Sequence, residues 1–226
     1  MDEIILNNID KYETARYLGY KDSLPDVEMT KIILQCEQEL LKNINPKYTY
    51  RIFDIEQVEN GVKVCNTPLV LTGSSIKSHL EGCTKAALMC TTLSSGVDML
   101  LRSIEVNDMI KTLVYDALAN VAIEQVCDVV EGFIEKDMPD YNHTWRFGIG
   151  YGDLPLSLQD SFLSVLNAQK TIGVCATESC ILTPRKSVTC ILGLSKGEIE
   201  QTKRSCNTCN MKDKCQFRKN GVTCSN

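Results

Sequence analysis

The chain has 226 residues, 43% of them hydrophobic, and a formal net charge of -5 with an isoelectric point near 5.2. That length and apolar content suffice for a buried core and exclude a disordered chain. The acidic balance excludes a general nucleic-acid binder, which needs a basic face.

The opening residues place Asp2 and Glu3 before an apolar run of only Ile4 to Leu6. No secretory leader is expected, because such a leader needs a basic start and a longer apolar stretch. Nothing approaches the roughly 20 apolar residues that span a bilayer. A soluble, cytoplasmic protein without a membrane partner is expected.

Residues 25–44 place Val27, Ile32, Ile33, Cys36, Leu40 and Leu41 near helical spacing with acids and lysines between them, which predicts an amphipathic helix. After Pro46, alternation through Tyr48, Tyr50 and Ile52, then Val62, Val64 and Leu69 to Leu71 around Gly61, predicts a meander of short strands. Ser74 and Ser75 are expected to cap a short helix holding His79. The apolar run after Gly82, rich in threonine, is expected to be a buried strand.

Residues 96–137 read as helical, broken near Asn107 and Asp108, the second helix being long and central. Pro139 ends it. A glycine-rich loop follows from Trp145 to Pro155, then a helix over residues 156–166. Two apolar strands around Thr183, Pro184, Arg185 and Lys186 are expected to form a hairpin. Eight of the twelve cysteines, Cys36, Cys65, Cys90 and Cys127 among them, sit singly in apolar segments and are expected as reduced core residues. His79 and His143, the only histidines, have no metal-spaced partners and are expected to be packing or surface residues.

The loop carries the chemistry. Arg146 is followed by Gly148, Gly150 and Tyr151. A guanidinium takes a carboxylate in two bonds, glycines admit a ligand close to the backbone, and an aromatic ring lies against a base or a sulfonium. Pairing of Arg146 with Asp153 is the plainer alternative.

Arg146, Gly150 and Tyr151 reproduce the spacing of an R-P-A-x-G-Y loop. Glu124 lies on the long helix upstream, and Thr177, Glu178, Ser179, Pro184, Ser187 and Val188 follow a T-E-S-x-x-x-x-P-x-x-S-V pattern downstream. In this order the three elements resemble the activation, or reactivation, domain of cobalamin-dependent methionine synthase, in a stand-alone form covering the chain to about Leu194. Phe147, Gly148 and Gly152 stand where that family has Pro, Ala and Pro, which suggests a looser loop. The family's paired tyrosines and its amino-terminal aspartate ligand are not found.

The resemblance implies an α+β fold, a curved antiparallel sheet packed by several helices, over residues 1–195. It implies S-adenosylmethionine binding by Glu124, Arg146, Gly148, Gly150 and Tyr151, with no catalytic side chain. The role implied is that of an accessory module in the reductive methylation of cobalamin. No D-x-H-x-x-G cobalt-ligating signature is present, so the corrinoid is expected on a partner, a methionine synthase or another corrinoid protein, with a separate one-electron donor.

Residues 196–226 form a cysteine-rich appendage in which Cys206, Cys209, Cys215 and Cys224 are spaced for zinc or an iron-sulfur cluster. The alternative function is therefore a metal-binding interaction or sensor protein that keeps this fold without S-adenosylmethionine. An independent methyltransferase is the weaker third reading, since no glycine-rich loop follows a first strand.

Overall fold

The computed structural model describes residues 2–20, 25–105 and 108–199. In chain order the elements are α1 (Lys11–Tyr17), α2 (Val27–Asn43), β1 (Lys47–Val58), β2 (Gly61–Val64), β3 (Val70–Thr72), α3 (Ser74–His79), β4 (Lys85–Thr92), α4 (Ser95–Glu105) and α5 (Met109–Asp137). There follow β5 (Asn142–His143), β6 (Phe147–Gly148), a single 3-10 turn (Leu156–Leu158), α6 (Gln159–Leu166), α7 (Ala168–Ile172), β7 (Cys175–Ala176), β8 (Leu182–Thr183) and β9 (Ser187–Ser195).

The chain folds into two compact units. Of the described residues, the first comprises those within 2–49, 90–134 and 167–188, and the second those within 50–89, 135–166 and 189–199. Four of the five crossings fall within β1, β4, α5 and β9, and the fifth falls between α6 and α7.

The first unit is helical. Asp10 caps α1 by accepting from the Tyr12 and Glu13 amides at 2.8 and 2.9 Å, and Asp26 caps α2 by accepting from the Met29 amide at 2.8 Å. Helix α2 buries Ile33, Cys36 and Leu40 along one stripe and packs on α4. Ile33 and Leu40 contribute about 1.5–3 kcal/mol each when fully buried. Gly96 permits the close approach there, since a side chain on it would meet the Asn43 carbonyl at 2.6 Å. Helix α5 buries apolar side chains from Val114 to Ile134 over most of its circumference. Its exception is a polar stripe, Asp116, Asn120 and Glu124, repeating every four residues on one face.

The second unit is built on a seven-stranded sheet in the order β3-β2-β1-β4-β9-β5, with β6 also paired to β9. Its hairpins are antiparallel, with Val58 opposite Gly61 in β1 and β2 and Gly61 opposite Thr72 in β2 and β3. Backbone bonds from Ile55 to Thr84 and from Thr84 to Leu194, both 3.1 Å, join β1, β4 and β9. Val62, Val64, Leu71, Ile76, Leu88, Phe147, Phe162 and Leu192 fill its core.

The amphipathic helix, the meander, the buried β4 strand and the break before the long helix all stand as expected. Three expectations are corrected. Ser74 and Ser75 do not cap α3 with their side chains. The N-cap position is Gly73, and the carboxylate that accepts from the Ser74 and Ser75 amides, at 2.7 and 2.9 Å, is that of Asp153. The turn at residues 183–186 does not join a hairpin, because β8 pairs with β7 while β9 belongs to the large sheet. Of the eight cysteines expected in the core, Cys36, Cys83, Cys90, Cys127 and Cys190 are buried as free thiols, whereas Cys65, Cys175 and Cys180 are half-buried near strand ends and turns.

Candidate functional site

In the second unit the loop hangs from β9. Strands β5 and β6 both pair antiparallel with it, His143 opposite Leu194 and Phe147 opposite Ile191. Between them the Thr144 amide donates to the Gly193 carbonyl at 3.0 Å, and the Gly193 amide donates to the Thr144 hydroxyl at 2.9 Å. That hydroxyl also lies 2.7 Å from Nε2 of buried His79. His79 is thus a packing residue, its ring 4.5 Å from Trp145 and 4.9 Å from Phe147 between centroids.

Trp145 and Phe147, two apart, share one side of the extended segment and stack at 5.4 Å. Alternation places Arg146 and Gly148 on the other side. Tyr151 closes over the pair edge-on, 5.6 Å from Trp145 and 5.2 Å from Phe147. Two turns bring it there, with the Tyr151 amide donating to the Gly148 carbonyl and the Leu154 amide to the Tyr151 carbonyl, each at 3.1 Å.

The three loop glycines differ in what they are for. Gly150 and Gly152 have positive φ, +87° and +59°, and a side chain on Gly152 would meet Ser75 at 2.6 Å. Both are required by the turn and its packing. Gly148 is not, since a Cβ there would meet nothing nearer than the Thr189 carbonyl oxygen at 3.9 Å. Phe147 and Gly152 are both buried positions of the loop.

Asp153, at the loop's end, accepts from the Ser74 amide and hydroxyl, both at 2.7 Å, and from the Ser75 amide. Desolvation alone would raise this carboxyl; the hydrogen bonds from the two serines outweigh it and hold the group well below the usual carboxylate range.

In the first unit a cavity of about 390 Å³ is lined by Tyr17, Asn120, Glu124, Arg185, Lys186 and Ser187, with Ile123 and Val188 completing the wall. It brings the predicted Glu124 together with Ser187 and Val188 of the downstream pattern. Lys186 is buried, and its Nζ donates to Asp116 Oδ1 at 2.6 Å and Asn120 Oδ1 at 2.7 Å. The Arg185 amide donates to buried Asp98 at 2.9 Å, and the Ser187 hydroxyl donates to the Pro184 carbonyl at 2.7 Å. Thr177 of the same pattern organises the β7–β8 turn, its hydroxyl accepting from the Ile181 amide at 3.1 Å.

Glu124 belongs to the first unit, and Arg146, Gly148, Gly150 and Tyr151 to the second. The sequence reading missed Tyr17, Asp116, Asn120 and Lys186. The four-residue spacing of Asp116, Asn120 and Glu124 on an otherwise apolar helix was the available signal. Cys206, Cys209, Cys215 and Cys224 lie outside the described residues. Among the described residues no group of three or more His, Cys, Asp or Glu side chains could hold a metal, and no helix is long and apolar enough to cross a membrane.

An antiparallel sheet of this order, fed by a long helix and returning through a glycine loop onto β9, defines an α+β class already met among solved structures. No protein-family model and no curated protein sequence matches the chain. The crystal structure of the MetH reactivation domain bound to AdoHcy is similar, with a TM-score of 0.64 over 95% of this chain and 82% of that one, at 14% sequence identity. The chain has the reactivation-domain fold.

Proposed function

We propose that the chain binds S-adenosylmethionine and presents it for reductive methylation of a corrinoid carried by a partner protein. The observation that carries this reading is the loop built on β9, in which Gly150 takes a positive φ of +87° and Tyr151 stands edge-on to Trp145 and Phe147, the two rings that flank Arg146 in sequence. A guanidinium and an aromatic wall on such a turn suit a ligand that carries a carboxylate and a sulfonium. The similar MetH domain was crystallised with AdoHcy, which is S-adenosylmethionine without its methyl group.

In this reading the loop of the second unit holds the ligand, Arg146 and the backbone at Gly148 and Gly150 taking its polar groups and Tyr151 walling it. The chain supplies no nucleophile and no base. The partner's corrinoid, once reduced by one electron from a separate donor, would accept the methyl group and leave AdoHcy on the chain, whose own contribution is orientation. Cys206, Cys209, Cys215 and Cys224 would hold zinc or an iron-sulfur cluster in the appendage, the latter offering a route for that electron.

Calorimetric titration with S-adenosylmethionine tests the reading. Saturable binding weakened about tenfold or more in Arg146→Ala is expected, the loss typical of a charge-assisted hydrogen bond. A folded wild-type protein that takes up no ligand would refute it.

A further inference from the structure

We propose that His79 is a positioning residue for the glycine loop: through the Thr144 hydroxyl it locks a β-bulge that sets the side on which Arg146 is presented. The lock itself stands on the geometry of the second unit, and its consequence for binding rests on the reading above.

The bulge follows from register. His143 stands opposite Leu194, and Phe147 opposite Ile191. Between those pairs the loop segment carries three residues, Thr144, Trp145 and Arg146, whereas β9 carries two, Leu192 and Gly193. One residue is therefore extra. Its effect is a change of phase. Ile191 and Leu194 are three apart and lie on opposite faces of β9, so their partners His143 and Phe147 do too, although an unbroken strand would put residues four apart on one face.

The hydrogen bonds show where the segment leaves the ladder. The Thr144 amide donates to the Gly193 carbonyl at 3.0 Å, but the Gly193 amide donates back to the Thr144 hydroxyl, at 2.9 Å, rather than to the Thr144 carbonyl. That carbonyl lies 3.0 Å from Nδ1 of His143 instead. A side-chain hydroxyl thus replaces a backbone acceptor, which it does in one rotamer only. His79 selects that rotamer, its Nε2 being 2.7 Å from the hydroxyl oxygen. A hydroxyl has one donor and two acceptor sites, so it bonds the amide and the imidazole together. The imidazole is clamped in turn, 5% exposed and packed against Trp145 and Phe147. Gly193 belongs to the same arrangement, since a side chain on it would meet Cys83 Sγ at 2.6 Å, Leu80 at 2.7 Å and the Thr144 methyl group at 3.2 Å.

Regular pairing is the competing state. Without the lock the Thr144 carbonyl can reclaim the Gly193 amide, and the slip of one residue turns Arg146 to the opposite side.

The test uses three variants of the full chain, with thermal midpoints confirming the fold of each. Thr144→Val removes the hydroxyl, Thr144→Ser keeps it, and His79→Phe keeps a ring that cannot bond to it. Thr144→Val is expected to shift the ligand-free emission of Trp145, and Thr144→Ser to leave it unchanged. Thr144→Val and His79→Phe should each weaken S-adenosylmethionine binding about tenfold, and Thr144→Ser should not. Arg146→Ala, costly in the wild type, should add nothing to either weakened variant, because its guanidinium is already misplaced. Wild-type emission in folded Thr144→Val would overturn the lock, and so would a full further loss on adding Arg146→Ala. Folded wild type that binds no S-adenosylmethionine would remove the ligand reading, and the lock would then be decided by the emission of Thr144→Val against Thr144→Ser.

Discussion

The Tyr151 ring stands edge-on to Phe147, their centroids 5.2 Å apart and their planes at 87°. Phe147 is 2% exposed and belongs to the sheet's core, while Tyr151 is half-buried and belongs to the loop. One contact thus ties a candidate ligand residue to the scaffold, and its two ends should fail differently. Phe147→Ala removes a core ring and is expected to cost about 3–5 kcal/mol of stability. Tyr151→Ala should cost less stability but weaken S-adenosylmethionine binding. Chemical denaturation with parallel titrations separates the two.

The loop glycines give a second contrast. Gly152→Ala places a methyl group against Ser75 at a position of positive φ, and a destabilisation of more than about 1 kcal/mol is expected. Gly148→Ala meets open space and installs the residue that the resembled family carries there, so its thermal midpoint and its ligand affinity should both stay close to wild type. Equal destabilisation by the two would contradict the distinction drawn between them.

Asp153 predicts a pH dependence. Its folded-state pKa is depressed, so the unfolded chain binds the proton more readily. Its contribution is therefore complete above the ordinary carboxylate range and is lost as pH falls through the folded value. Because the side chain is exposed, the effect is that of a helix cap, about 1 kcal/mol. Asp153→Ala should lower stability by that amount at neutral pH and less at strongly acidic pH, as urea midpoints across the range would reveal.

Cysteine reactivity provides an independent check on the fold. Burial pushes the Cys83 thiol up to about 11, and burial followed by the neighbouring Cys127 pushes Cys90 higher still. Native alkylation at neutral pH, mapped by peptide mass, should modify Cys175 and Cys180 well before Cys83, Cys90 or Cys127. Early labelling of Cys90 would contradict its place in β4.

Periodicity made much of this legible. The stripe of Ile33, Cys36 and Leu40, the alternation through β1 and β2, and the break ahead of α5 are local patterns, and they were read correctly. The α3 cap was not, because its carboxylate, Asp153, stands 78 and 79 residues away from the serines it serves. The supposed hairpin failed for a related reason. Two-residue strands such as β8 carry no periodicity, so nothing local shows that Leu182 faces Ala176 rather than β9. Helix α1 passed unnoticed although Asp10 is a good cap, being too short to display a stripe. In the candidate site, the loop and Glu124 were named through resemblance alone. Lys186 was not, since only the fold sets it against Asp116 and Asn120, 70 and 66 residues away.

Trp145 is the sole tryptophan of the chain and packs against both Phe147 and Tyr151, so its fluorescence reports from the loop itself. Titration with S-adenosylmethionine, and with AdoHcy in competition, is therefore the most direct test of the central claim. The account predicts a saturable change in Trp145 emission that AdoHcy reproduces and Arg146→Ala weakens. Emission that does not respond to either ligand, together with no heat of binding, would contradict it.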